Sequence, residues 1–271
     1  MLKGKSFHHI SLAVTALFFF LSSINLDLSP KTIALSVAIF TGTFFIYRLS
    51  VWIPVLSWSR RFVDFYNKPS VLELALFFLT LLCAFYFLNL CEIALLICWG
   101  LFSTCYFLNI KLDAFHFKGL RSIPLIKTIH LSLLWTIIGF IFKLPELAIN
   151  HSLCYDFSIR FIIVFLICLG VDLRDINKDQ ESSQGLEITT LATYFGFHKL
   201  KQLMLIVNLT LICFLILCST ESTIDLLIAS MLFIGIINLK INSNPKTFTI
   251  LMDGTLLLYS FLAFIVKLTR F

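Results

Sequence analysis

Asp172-Leu-Arg-Asp-Ile-Asn-Lys-Asp179 closes a long apolar run and places three carboxylates at spacings i, i+3 and i+7. On a helix, at 100° per residue, those spacings advance about 300° and 700°, so all three fall within about 60° of one direction. Arg174 and Lys178 point to other faces, which makes the stripe a carboxylate face and not a mixed salt-bridge ladder. Like charges crowded on one face repel one another. Hard divalent cations with oxygen ligands relieve that repulsion. Ionisable clusters that border membrane spans are functional by default. Asp172, Asp175 and Asp179 therefore read as metal or metal-phosphate ligands, against the plainer alternative of a solvated acidic helix end.

The rest of the chain says what surrounds the stripe. Of its 271 residues 59% are hydrophobic and only 13% charged, and the mean hydropathy is +0.96. Those values exclude an ordinary soluble domain. Several runs approach the roughly 20 residues that cross a bilayer, which predicts an all-α polytopic membrane protein. Nine spans can be drawn, at roughly 8–26, 31–47, 71–90, 91–109, 124–143, 157–171, 203–220, 224–240 and 247–267. Spans and short loops consume the chain, so residues 1–271 are expected to form a single membrane domain. Met1 to Lys5 before an apolar run imitates a signal peptide, but no small-x-small site follows, and a retained first span is expected.

The longer polar segments 48–70, 110–123 and 172–202 all fall on one side. With the N-terminus cytoplasmic, that side carries sixteen of the 21 Lys and Arg residues, a firm positive-inside pattern. The net charge of +6 thus reports topology and anionic headgroups, and no basic-aromatic stretch predicts nucleic acid as a partner. The eight cysteines include no C-x-x-C pair. Cys91, Cys98 and Cys105 recur every seventh residue and read as small packing residues on one helix stripe. Most of the 30 phenylalanines are expected to face lipid or neighbouring helices. A minority is left to line a groove for an isoprenoid or acyl chain.

Carboxylates at a cytoplasmic cavity mouth suit Mg²⁺, which binds through one or two carboxylates, waters and substrate phosphates. Departure of a diphosphate needs its developing charge neutralised by metal and by Lys or Arg. If it carries a prenyl chain, an allylic carbocation remains, and an intramembrane cavity keeps water from quenching it.

The pattern Asp172-Leu-Arg-Asp175-Ile-Asn-Lys-Asp179, followed by Gly185, Thr190-Leu191 and Gly196, closely resembles the second aspartate-rich motif of the UbiA-like intramembrane prenyltransferases. The span count, inward N-terminus and long cytoplasmic loops agree with that fold over the whole chain. The segment holding Lys118, Arg121, Pro124 and Lys127 resembles the family's basic, diphosphate-contacting loop. The resemblance implies Mg²⁺-dependent transfer of a polyprenyl group from a prenyl diphosphate to a lipophilic acceptor, with Arg174 and Lys178 also near the diphosphate. The expected location is a prokaryotic plasma membrane with the site loops cytoplasmic.

One departure matters. The family carries a first aspartate-rich motif at the cytoplasmic end of the second span, where this chain reads Ile46-Tyr47-Arg48-Leu49-Ser50-Val51-Trp52. Either Arg48 binds diphosphate directly through its guanidinium fork, or prenyl transfer has given way to cyclisation, diphosphate release or lipid binding without catalysis. Arg48 as a snorkelling topology anchor is the plain alternative. Asp253, about two turns inside the ninth span, is expected to line the cavity. A cation transporter using Asp172, Asp175 and Asp253 is a third functional class, but the paired broken helices of transporters are not visible in the sequence.

Overall fold

The computed structural model describes residues 2–22, 29–52, 71–107, 110–112, 115–117, 123–141, 143, 150–182, 190–218, 223–240 and 245–269. Among them are nine helices: α1 (Leu2–Leu21), α2 (Pro30–Trp52), α3 (Val71–Phe87), α4 (Leu90–Phe107), α5 (Pro124–Phe140), α6 (His151–Ser182), α7 (Leu191–Cys218), α8 (Thr223–Asn238) and α9 (Pro245–Thr269). Each matches one expected span in order. A small antiparallel hairpin of β1 (Ile110–Leu112) and β2 (Phe115–Phe117) occupies the segment expected to be loop between α4 and α5. His151–Arg174, Leu191–Leu217 and Leu251–Thr269 are long and apolar enough to cross a bilayer by themselves, and the other apolar helices described are shorter.

Polar residues start these helices where the sequence supplies them. Pro30, Pro124 and Pro245 open α2, α5 and α9, a place where the missing N–H costs nothing. Asn89 and Glu92 form a reciprocal capping box on α4, with Glu92 N–H donating to Asn89 Oδ1 at 2.9 Å and Asn89 N–H to Glu92 Oε2 at 3.1 Å. Lys31 then pairs with Glu92 at 2.6 Å and ties α2 to α4. Thr190 and Thr193 exchange equivalent bonds at the start of α7.

Contacts between helix ends fix an up-and-down bundle. Lys127 at the start of α5 meets Asp172, about two-thirds of the way along α6, and Arg174 on α6 meets Asp253 about two turns into α9. Lys201, early in α7, donates to the carbonyls of Ile237 and Leu239 at 2.7 and 2.6 Å and so caps the end of α8. At the opposite end Arg160 of α6 reaches Ser22 after α1, and Tyr259 of α9 donates to Asp225 at the start of α8. Helix α6 sits at the centre, packed on α5, α7, α8 and α9, and α1 joins α9 back to α2 and α5. The Met252 side chain of α9 fills the space beside Gly170 of α6, and a Cβ there would require it to shift.

Three sequence expectations change. The segment 172–202 is largely helical, because α6 runs on to Ser182 and α7 begins at Leu191. Hydropathy marks where a helix leaves lipid, not where it ends. Helix α7 also breaks at Gly196, whose φ of 75° and ψ of 161° belong to a region open essentially to glycine alone. Finally, Cys91 and Cys98 are exposed and Cys105 is half-buried, so only the Cys105 end of the expected packing stripe meets neighbouring residues.

Candidate active site

The first turn of α5 and the last apolar turn of α6 build one buried polar contact. Consecutive Lys127 and Thr128 both reach Asp172. Lys127 Nζ lies 2.7 Å from Asp172 Oδ1, and Thr128 Oγ1 donates to Asp172 Oδ2 at 2.7 Å. Asp172 is only 2% exposed and Lys127 7%. A charge pair taken this far from water holds only when geometry and extra hydrogen bonds offset desolvation, and both are present. One turn deeper, Ser132 donates to the Thr128 carbonyl at 2.7 Å and contacts Cys168. Cys168 is within electrostatic range of Asp172, Lys127 and Asp253, so the neighbouring Arg174–Asp253 contact shares the same region. That contact is looser, at 3.4 Å, and partly exposed.

The sequence-expected residues are thus only partly brought together. Lys127 and Asp172 meet directly, and Arg174 meets Asp253 beside them. Arg174 is therefore engaged by a carboxylate of the protein, as Asp253 is by a cation. Asp175, Lys178 and Asp179 lie on α6 and Arg48 on α2, but their side chains are outside the described residues, as are Lys118 and Arg121 altogether. Thr128 is an addition that sequence reasoning missed. Its only signal was adjacency to Lys127. His130 was also missed; it is buried, bonds the Phe102 carbonyl through Nε2 at 2.9 Å and stacks on Tyr106, locking α5 to α4.

Does this donor set suit Mg²⁺? Asp172 supplies hard carboxylate oxygens, each with a lone pair left after Lys127 and Thr128 are served. Lys127 places a fixed positive charge against the same carboxylate. Among the described residues no group of three potential ligands comes together, so a magnesium ion at Asp172 would need a polyanion to supply most of its oxygens and to accommodate both cations.

Alongside α5, Thr43, Ile46, Trp99, Ser103, Leu131, Leu134, Trp135 and Ile138 line a small cavity of about 20 Å³. A larger apolar groove of about 280 Å³ lies between α2, α3 and α4, with Phe45 and Phe85 in its walls.

No protein-family model and no curated protein matches this sequence. Solved structures do. A digeranylgeranylglyceryl phosphate synthase structure aligns over 100% of both chains with a TM-score of 0.57 and 13% identity. A UbiA homolog from Archaeoglobus fulgidus aligns over 95% of this chain and 96% of its own, with a TM-score of 0.54 and 13% identity. The same homolog bound to GPP and Mg²⁺ aligns equally far, with a TM-score of 0.53 and 12% identity. The chain has the UbiA-like fold. The likeness covers the whole bundle, so the UbiA-like path of the chain is what carries Lys127 and Asp172 to one end of α5 and α6.

The Arg174–Asp253 contact is partly exposed and long, so its contribution is expected to be small. A double-mutant cycle of Arg174→Gln and Asp253→Asn, read by urea unfolding, should give a coupling of about 1 kcal/mol or less. A coupling several times larger would make the pair a principal lock between α6 and α9.

Proposed function

We propose that this UbiA-like protein binds a prenyl diphosphate at the α5–α6 end of the bundle and transfers the prenyl group to a lipophilic acceptor within the membrane. The buried Lys127–Asp172–Thr128 contact carries the reading. It puts a fixed cation and a hard oxygen donor side by side between α5 and α6, in a bundle whose fold is shared with a protein solved with GPP and Mg²⁺.

In the proposed reaction the allylic C–O bond breaks and the diphosphate leaves with the electron pair. The acceptor then forms the new bond to carbon and gives up a proton. Lys127 holds a positive charge against the leaving oxygens, and Thr128 keeps Asp172 turned toward them. Asp172, with Asp175 and Asp179, would hold Mg²⁺, which supplies further neutralisation of the diphosphate. Arg174, Lys178, Lys118, Arg121 and Arg48 are proposed to surround the diphosphate, with Asp253 orienting Arg174. The apolar walls exclude water from the cation. Residues 1–271 act as one domain in this scheme, in a prokaryotic plasma membrane with this end of the bundle cytoplasmic.

Two features favour a second reading. Arg48 stands where a carboxylate motif is expected, and Lys127 already neutralises Asp172, so a diphosphate lipid can be held without being ionised. Purified protein incubated with a radiolabelled prenyl diphosphate, Mg²⁺ and a phenolic or alcohol acceptor separates the two. Transfer of label to the acceptor is the expected result. Saturable binding with neither transfer nor diphosphate release would leave a lipid-binding protein.

A further inference from the structure

The exposed face of α7 changes character along its length. Between residues 203 and 217 it shows Leu203, Ile206, Leu209, Phe214, Ile216 and Leu217, a stripe suited to hydrocarbon. Before that stripe, His198, Lys199 and Gln202 form an exposed polar band. Residues 197–217 rise about 30 Å at 1.5 Å per residue, about the thickness of a bilayer's hydrocarbon core. The polar band therefore stands at the headgroup boundary. It lies at the same end of the bundle as Lys127 and Asp172, because α6 leads into α7 there.

Past that band an ordinary helix would stay polar, and this one does not. Tyr194 is 76% exposed and Phe195 42%, and their rings meet edge to face at 5.1 Å. Thr190, Leu191 and Ala192 beside them are buried. Residues 191–195 thus form a half-helix with one packed side and one bare aromatic side. On a straight α7, Tyr194 would stand about 6 Å beyond His198, in water. The helix is not straight: Gly196, at φ 75° and ψ 161°, turns the half-helix off the α7 axis. Lys199 is exposed beside the turn. Lys201, bonded to the Leu239 carbonyl, brings the exposed Lys240 to the same end.

We propose that residues 191–195 are an interfacial foot: Tyr194 and Phe195 rest among the headgroups of the leaflet at this end, where Lys199 and Lys240 favour anionic lipids. A lipid surface fits the patch better than a protein does. Two rings are far smaller than the roughly 20–30 residues a side of a stable protein interface. Only one polar band separates them from the stripe that faces hydrocarbon. The flanking lysines complement anionic headgroups, and an aromatic ring with a wet hydroxyl is the usual occupant of that zone. The foot fixes the start of α7 against the bilayer and does not depend on the reaction proposed at Lys127 and Asp172.

Fluorine probes in the full-length protein in nanodiscs test it. Trifluoromethyl-phenylalanine in place of Tyr194 or Phe195 keeps an aromatic ring. The same residue in place of Ile206 marks hydrocarbon, and the free amino acid in buffer marks water. Fluorine relaxation is read with dissolved oxygen, which concentrates in the bilayer, and with a neutral gadolinium chelate, which stays in water. Both probes are expected to give an oxygen-to-chelate ratio between the two references. A ratio equal to that of the free amino acid would overturn the proposal and leave the rings in water, open to another protein. Replacing half of the phosphatidylcholine with phosphatidylglycerol should weaken the chelate effect about fivefold, the influence of one basic residue near an anionic surface. Lys199→Gln combined with Lys240→Gln should remove that response. Insertion indifferent to lipid charge and to both lysines would overturn the assignment to anionic lipid. If one probe position does not fold, the other still decides.

Discussion

Asp172→Asn is expected to destabilise the protein by about 3–5 kcal/mol, the usual cost of removing one partner from a buried ion pair. Asparagine keeps the shape, and with its oxygen toward Lys127 its NH₂ can donate to a turned Thr128 hydroxyl, so the main loss is one of charge. Lys127, 7% exposed, would be left in an apolar setting with its ammonium 2.7 Å from a neutral amide oxygen where a carboxylate stood. Urea unfolding of the purified protein in detergent measures the change. The same variant should weaken Mg²⁺-dependent binding of a prenyl diphosphate at least tenfold, about 1.4 kcal/mol. These readouts separate two roles. A stability loss with unchanged diphosphate affinity would make Asp172 a structural counter-ion, and the proposed site would fall. A combined Asp172→Asn, Lys127→Met variant should recover most of the stability, because a buried pair replaced as a whole costs far less than a pair broken. Failure to recover would show that Thr128 and the surrounding backbone, more than the charges, depend on the carboxylate.

What the sequence reveals and what it hides divide along one physical line. Apolar run length is a local property, so the nine helices described can be read off in order, and the motif at Asp172 declares itself through its spacing. Partners across the bundle are non-local. Thr128 lies 44 positions before Asp172, and nothing in the sequence around either residue names the other. Hydropathy likewise misplaces the segment 172–202, because a charged helix that has left the lipid looks like a loop. Arg160 is the clearest case of a hidden role. By charge counting it marks the non-cytoplasmic side. In the fold its guanidinium lies 5.0–5.9 Å from the ring centroids of Phe19, Phe140 and Tyr259, while Tyr259 donates to Asp225 at 2.5 Å. A topology signal and a cation–π clamp coexist in one side chain, since arginine buries its stem and plane while retaining its charge. Gly196 runs the other way. The sequence offers it only as part of a resemblance, and the backbone gives the reason, a break in α7 that other residues would resist.

Lys127→Met reverses the charge argument and yields the sharpest test of metal at this end of the bundle. In the absence of divalent ions it should destabilise by a similar few kcal/mol, because Asp172, 2% exposed, would lose its cation and keep only the Thr128 hydroxyl. Mg²⁺ should then matter more than it does in the unaltered protein. With the ammonium gone, the metal no longer shares Asp172 with a fixed positive charge, so its affinity for the free site should rise about tenfold or more. Added at 100 times its dissociation constant, it would restore about 2.7 kcal/mol. Diphosphate affinity without metal should move the opposite way and fall, since Lys127 is the proposed direct contact. Thermal unfolding across a Mg²⁺ titration, with Ca²⁺ and Na⁺ at matched ionic strength, reads the first effect. Equilibrium binding of a prenyl diphosphate in a chelator reads the second. Stabilisation by Mg²⁺ that is no greater in Lys127→Met than in the unaltered protein would mean that Asp172 is not a metal ligand. The lysine would then be the permanent occupant of the place where the UbiA-like resemblance puts magnesium. Diphosphate would be gripped by side-chain cations alone, and the reading of a lipid-binding protein on a prenyltransferase fold would take precedence over transfer.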